Sequence, residues 1–346
     1  MLQFQGRPRE IGTQCGEALA DSIQRNLNVL VRGEGFIRPG DAGLPAWIKL
    51  HEALIARNWP WLLDEMDAVA SAVGAPYGDI LLLNLRAWQH VYYGVSPQGG
   101  CSGLAITLRD GSIACAAALD DDIEHYCGPV RYDPDLGHSF IAFPLAGTSW
   151  GSSGMNSSGL AVAAGSQLLP GLKRHYSAVN QDLAMRVILQ SCSTAGQVRD
   201  FCNAHPFTTN ILCVDSAGGV FCAHHTAAGM LELEPEDGFL VLTNHITTDE
   251  FTQWLRERGV ADFPEHPTSR ARRDSLLRFA REQSGKCDAE DVRRFLTARD
   301  DSAPGSVHNR NTIYLTFCDP QGDPGRLWIM RPREPDLDTD FAVHEV

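Results

Sequence analysis

The sequence predicts an α+β fold. A helical leader over residues 1–100 precedes two antiparallel sheets packed together, with further helices on their outer faces. Three observations predict it. Apolar residues recur at helical spacing before residue 100, the pattern turns to alternation just after Gly99-Gly100, and strand signals then come in consecutive sets broken by helical ones.

Residues 9–30 place Ile11, Cys15, Leu19, Ile23, Leu27 and Leu30 at helical spacing. Residues 45–73 continue with Trp47, Leu50, Leu54, Ile55, Trp59, Leu62, Met66, Val69 and Val73. Pro60 divides that stretch into two helices, because proline suits a first turn and not a helix interior. Asp79, ahead of Ile80-Leu81-Leu82-Leu83, opens another helix with an acidic cap. Residues 104–108 and 113–119 flank Arg109-Asp110-Gly111-Ser112, and Asp-Gly between apolar runs signals a hairpin. Further strands are expected at 138–145, 159–166, 208–215, 219–226, 238–246, 311–318 and 326–331, with helices at about 181–204, 268–284 and 288–298.

Composition sets the class. The chain has 346 residues, 43% hydrophobic and 21% charged, which suits one large or two smaller globular domains. A formal net charge of −14 argues against nucleic acid or an anionic membrane as partner, since both need a basic face. The start lacks the charged-then-apolar order of a secretion signal, and no apolar run approaches the roughly 20 residues that span a bilayer. A cytoplasmic protein is expected. Ten cysteines without a CxxC pair read as free thiols.

Cys101 stands apart from the others by its neighbours. Gln98-Gly99-Gly100 precedes it, and the alternating run Ser102-Gly103-Leu104-Ala105-Ile106-Thr107-Leu108 follows. Flexible glycines let the preceding carbonyl bend back onto the thiol, and a side chain at Gly100 would crowd the tetrahedral centre. A cysteine freed at a chain terminus carries both a nucleophile and a base, its own α-amine of pKa about 7.7–8.0. Freeing it requires thiol attack on the Gly100 carbonyl and opening of the resulting thioester by water. Asp120 ends the second strand of the hairpin, where its carboxylate can orient the new ammonium. Asn244, in Leu242-Thr243-Asn244-His245, can donate to a developing oxyanion, a role worth about 3 kcal/mol elsewhere. Arg310, at the head of Asn311-Thr312-Ile313-Tyr314-Leu315, can hold a carboxylate bidentately.

Several segments occur in the order found in one family. They are Ile11-Gly12-Thr13-Gln14-Cys15-Gly16-Glu17-Ala18-Leu19, Gly100-Cys101-Ser102, Gly154-Met155-Asn156-Ser157-Ser158-Gly159-Leu160-Ala161-Val162, Thr243-Asn244-His245 and Asn309-Arg310-Asn311-Thr312. Together they resemble the acyl-coenzyme A:6-aminopenicillanic acid acyltransferase family, peptidase family C45, of the N-terminal nucleophile hydrolases. The resemblance runs from about residue 8 to 332. It implies a four-layer αββα sandwich, a precursor that cuts itself between Gly100 and Cys101, and no metal or organic cofactor. It also implies Cys101 as nucleophile, Asp120 as orienting carboxylate, Asn244 as oxyanion donor and Arg310 as supporting cation. The family usually has Asn or Trp before the aspartate, whereas this chain reads Ala117-Ala118-Leu119-Asp120-Asp121-Asp122, so Asp121 stays an alternative to Asp120.

Other features have plainer readings. The acidic run with Glu124 and His125 is a solvated loop before it is a cation site. His224 and His225 alternate across a strand and cannot chelate one ion together. Gly147-Thr148-Ser149-Trp150-Gly151 fits a GxSxG pattern, but a further strand follows where the nucleophile elbow needs a helix. His245, Asp121, Asn156 and Tyr92 are candidates to line a substrate pocket, with Trp88 and Tyr93 beside the cut, although Asn156 suits a turn. The expected protein is a cysteine amidohydrolase or acyltransferase, with residues 1–100 as leader and 101–346 as catalytic domain. Its partner is a small amide or acyl substrate, and the two cut chains stay associated, with a homo-oligomer possible. Two alternatives remain: acyl-coenzyme A-dependent transfer within the same family, and a non-processing binder of acyl ligands.

Overall fold

The computed structural model describes residues 1–33, 44–85, 100–121, 128–167, 179–260, 267–322, 324–332 and 342–345. In chain order the strands are β1 (Leu2–Gly6), β2 (Gly100–Thr107), β3 (Ile113–Asp120), β4 (Val130–Pro134), β5 (Phe140–Ala142), β6 (Gly154–Asn156), β7 (Ala161–Gly165), β8 (Thr209–Val214), β9 (Val220–Thr226), β10 (Gly229–Glu232), β11 (Phe239–Leu242), β12 (Thr312–Asp319), β13 (Arg326–Met330) and β14 (Ala342–Glu345). The helices are α1 (Pro8–Asn26), α2 (Leu44–Asn58), α3 (Pro60–Val73), α4 (Tyr77–Asn84), α5 (Gln181–Ser191), α6 (Ala195–Ala204), α7 (Asp249–Arg256), α8 (Pro267–Gln283) and α9 (Ala289–Thr297). The chain forms two compact units. One comprises Met1–Val95, Ile123–Ser152 and Ser177–Ser191, and the other Ser96–Asp122, Ser153–Tyr176 and Cys192–Val346.

The first unit is mostly helical. Pro60 opens α3 as expected, and Gly74 closes it in the left-handed conformation, φ 64°, that glycine adopts without a Cβ penalty. The glycines of the Ile11-Gly12…Gly16 segment serve helix packing. A Cβ on Gly12 would sit 2.2 Å from the Glu65 carbonyl oxygen, and one on Gly16 2.5 Å from the Ala72 Cβ. So α1 lies against α3 at a distance only glycine permits, and Ile11, Cys15, Ile23, Leu62, Met66 and Val69 are buried. The leader also holds a strand that helical spacing does not announce, since β1 pairs in parallel with β4. Asp79 lies in the first turn of α4, whose cap position is Pro76, and it pairs with Arg32 at 2.7 Å instead of capping the helix.

The second unit holds the sandwich. One sheet has the order β11-β2-β3-β12-β13-β14, every neighbour antiparallel. Facing it, β6 to β10 pair in sequence, also antiparallel. The β2–β3 turn is the expected one, with Gly111 at φ 88°. The sheets approach closely at Gly103, where a Cβ would stand 3.4 Å from both Ala163 and Leu212. On the outer face of β2 and β3, Leu104, Ile106, Ala116 and Ala118 form one core with Leu276 and Ala280 of α8 and Val292 and Leu296 of α9. On the opposite outer face α6 buries Val198 and Cys202. This gives the four layers αββα. The helix expected over 181–204 is two, α5 and α6, because the Thr194 hydroxyl accepts from the Gln197 N–H and starts a new helix. No helix among the described residues is long and apolar enough to cross a membrane.

Candidate active site

Side chains alternate along β2, so Cys101 and Gly103 face the opposing sheet while Ser102 and Leu104 face α8. Antiparallel pairing joins Leu242 to Gly103. Continuing that register two residues brings Asn244 beside Cys101, and its Oδ1 accepts the Cys101 N–H at 2.9 Å. The Asn244 Nδ2 donates to the Ser166 carbonyl at 3.0 Å, just past β7. Partners of fixed character at both ends settle which way the carboxamide points. Nδ2 carries a second hydrogen, which has no partner among the described residues and can donate to a reacting oxygen.

Asp120 pairs in register with Gly100 on one side and Thr312 on the other. Its strand position therefore lies opposite Gly100, beside the Gly100–Cys101 peptide bond. Its carboxylate is buried, accepting from the Thr312 hydroxyl at 2.7 Å and from Asn309 Nδ2 at 2.9 Å. Arg272 of α8, only 2% exposed, completes the cluster. Its Nη1 donates to the Cys101 carbonyl oxygen and, at 2.7 Å, to Ser102 Oγ, while Nη2 donates to Asn244 Oδ1 at 2.9 Å. Its Nε lies 4.0 Å from Asp120 Oδ2. A Cβ at Gly100 would come within 2.3 Å of Arg272 Nη2, so glycine there makes room for the guanidinium. Ser269, one turn earlier on α8, accepts the Asn244 N–H at 2.9 Å and lies 2.8 Å from His245 Nδ1.

Burial dominates the electrostatics. It pushes the Cys101 thiol up to about 12, with the Ser166 main chain and Arg272 pulling the other way and Asp120 and Asp121 adding to the rise. Burial also raises the Asp120 carboxyl, against the pull of Arg272, Asn309 and Thr312. In the continuous chain the sulfur is therefore a neutral thiol at pH 7.

Cys101, Asp120 and Asn244 thus converge, with Arg272 as a buried cation among them. Arg310 is exposed in the turn ahead of β12, while its neighbour Asn309 reaches Asp120. Arg272, which the sequence reading did not single out, is a cation of the cluster. Two signals pointed that way. Residues 269, 272, 276 and 280 form the buried stripe of α8, so an arginine among them needs a buried partner. Asn309, not Arg310, was the member of its motif facing the site. Asp121 is half-buried, and its N–H donates to the Asn311 carbonyl. Asn156 spends its carboxamide inside the β6–β7 turn, accepting from the Ser158 and Leu160 N–H groups and donating to the Cys192 carbonyl. His224 and His225 are both buried and occupy opposite faces of β9, the second between the carbonyls of Phe207 and Cys202. Ser149 is buried in an irregular loop with no helix after it. Trp88, Tyr92, Tyr93, Gly99, Asp122, Glu124 and His125 lie outside the described residues. Among those described, no three His, Cys, Asp or Glu side chains are grouped to hold a metal ion, and nine buried cysteines take part in no disulfide.

A cysteine at the head of an inner strand of an αββα sandwich, beside a carboxamide and a carboxylate, defines an N-terminal nucleophile hydrolase fold. The profile of the family described as acyl-coenzyme A:6-aminopenicillanic acid acyl-transferase matches residues 120–313, more than half of the sequence, and the chain belongs to that family. The match begins at Asp120, so Cys101 itself precedes it. Among solved structures, a mutant conjugated bile acid hydrolase from Clostridium perfringens is similar at 13% identity and TM-score 0.50, over 71% of this chain and 92% of that one. A Caenorhabditis elegans ortholog of N-acylethanolamine-hydrolyzing acid amidase is similar at 17% identity and TM-score 0.44, over 64% of this chain and 94% of that one. No curated protein matches the chain.

Proposed function

We propose that the protein is a self-cleaving cysteine amidohydrolase that releases the acyl group of a small N-acyl amide through an acyl-Cys101 intermediate. One observation carries the reading. The Cys101 main-chain nitrogen, which becomes an amine only if the preceding bond breaks, is held by Asn244 Oδ1 at 2.9 Å, with Asp120 in register beside Gly100. In the precursor the thiol adds to the Gly100 carbonyl, the C–N bond breaks, and the nitrogen takes the thiol proton. Water then opens the thioester, releasing the Gly100 carboxylate and restoring the thiol. In the mature site the free amine accepts the thiol proton as sulfur attacks the substrate carbonyl, and returns it to the departing amine. Water completes the cycle.

Membership of an acyltransferase family supports a second outcome for the same intermediate, delivery of the acyl group to an amine after loading from acyl-coenzyme A. Intact-mass measurement on purified protein tests the common core. Expected are two fragments divided before Cys101, an acyl adduct on the second after exposure to N-acyl amines, and neither in Cys101→Ala. A single stable chain that takes no acyl group overturns the reading and leaves a non-processing binder. Partition of the adduct between water and added amine then separates hydrolysis from transfer.

A further inference from the structure

A polar side chain in mid-strand, facing the interior of a sandwich, costs stability unless its hydrogen bonds are met. Asn210 of β8 is such a residue, fully buried on the same face as Leu212. Its Nδ2 donates to the Thr243 carbonyl at 2.6 Å. Its Oδ1 accepts from Gln167 Nε2 and lies 2.6 Å from His224 Nδ1. The orientation is fixed chemically. Thr247 N–H donates to His224 Nε2 at 3.0 Å, so that nitrogen is unprotonated and Nδ1 of the neutral ring carries the hydrogen toward Asn210.

The two segments that Asn210 joins are those that flank the nucleophile. Gln167 follows Ser166, whose main chain touches the Cys101 sulfur, and Thr243 precedes Asn244, which holds the Cys101 nitrogen. The Asn244-to-Ser166 bond closes the circuit. We infer that Asn210 is a positioning residue, setting the separation of the Ser166 and Asn244 segments so that both bear on Cys101. It touches neither sulfur nor nitrogen itself. His224 keeps the carboxamide from turning over.

Asn210→Asp tests this, because it preserves shape and the acceptor toward Gln167 and His224 and replaces the amide that donates to the Thr243 carbonyl and, at 3.5 Å, to the His245 carbonyl. Gln167→Met removes the opposite strut should that variant fail to fold. The control is Asp215→Ala at the far end of β8, where the carboxylate accepts the Ala195, Ala217 and Gly219 N–H groups. Three quantities are compared: thermal midpoint, self-cleavage rate, and, in the uncut species resolved by mass, the alkylation rate of Cys101 relative to Cys213, a fully buried thiol of β8. Either strut variant should slow cleavage at least about 10-fold and raise the Cys101-to-Cys213 ratio about 3-fold or more, as small misplacements do at reacting groups. Asp215→Ala should lower the midpoint and move neither. Strut variants whose effects merely track the midpoint, as the control does, overturn the inference. The cleavage readout rests on the proposed function and the alkylation ratio does not. A wild type that never cleaves therefore sinks the function while the ratio still decides the role of Asn210.

Discussion

A thiol held near 12 by burial is a poor nucleophile at neutral pH, and Cys101 is in that state while its nitrogen is still an amide. An amide nitrogen cannot accept the thiol proton, whereas an α-amine of ordinary pKa about 7.7–8.0 can. The uncut chain is therefore quiet toward outside acyl groups. The pH behaviour follows from the sign of the shift. Below its pKa a thiol gains thiolate about tenfold per pH unit, so alkylation of Cys101 in the uncut species, resolved by mass, should climb at that slope from pH 7 to 10. An ordinary thiol, of pKa about 8.5, would level off within that range. A plateau between pH 8 and 9 would show that the sulfur is more exposed than its surroundings here imply.

At the scale of elements, α8 decides the site as much as the strands do. Its buried stripe sets Leu276 and Ala280 into the sheet core and carries Ser269 and Arg272 to the strand ends where Cys101, Asn244 and Asp120 lie. Arg272 and Asp120 are each almost fully buried, so removing one charge strands the other. In a Cys101→Ala background, which keeps one chain species, Arg272→Met should cost about 3–5 kcal/mol in urea unfolding. Adding Asp120→Asn should recover part of that loss. Simple additivity of the two substitutions would mean that the carboxylate and guanidinium do not act as a pair. The long elements were legible because periodicity survives over eight or more residues, as in α1, α3, β2 and β3. β6 spans three residues, all buried, and offers no alternation to detect, whereas β5, equally short, falls inside the strand expected over 138–145. Arg272 was missed for another reason. Its place on the buried stripe calls for a buried partner without naming one, and Asp120 lies far away in sequence.

For the molecule as a whole, the question is whether a chain cut before Cys101 stays in one piece. The helical unit answers it, because that unit is built from both sides of the cut. From the leading side, β1 pairs with β4 of the trailing side across Leu2↔Val130 to Gly6↔Pro134. Asn26 Nδ2 donates to the Ala146 carbonyl at 2.8 Å, and the Asn84 main-chain and side-chain oxygens accept from Trp150 Nε1 and the Ser149 N–H. Arg186, fully buried on α5, pairs with Glu65 of α3 at 3.0 Å and stacks over Tyr132 and Phe140. Separating the fragments would expose all of these groups and leave a buried charge on each side without its partner, which is strongly unfavourable. Cut protein should therefore elute from gel filtration with both fragments in one peak, at the 37.9 kDa of the intact chain or a whole multiple of it, and part only in denaturant. Arg186→Met should lower the denaturant concentration at which they part, since it leaves Glu65 buried and unpaired, while the Cys101 cluster, which belongs to the other unit, keeps its cleavage rate. Fragments that separate in native buffer would mean that this shared core contributes too little to hold them, and the leader would then be a propeptide discarded after its single use.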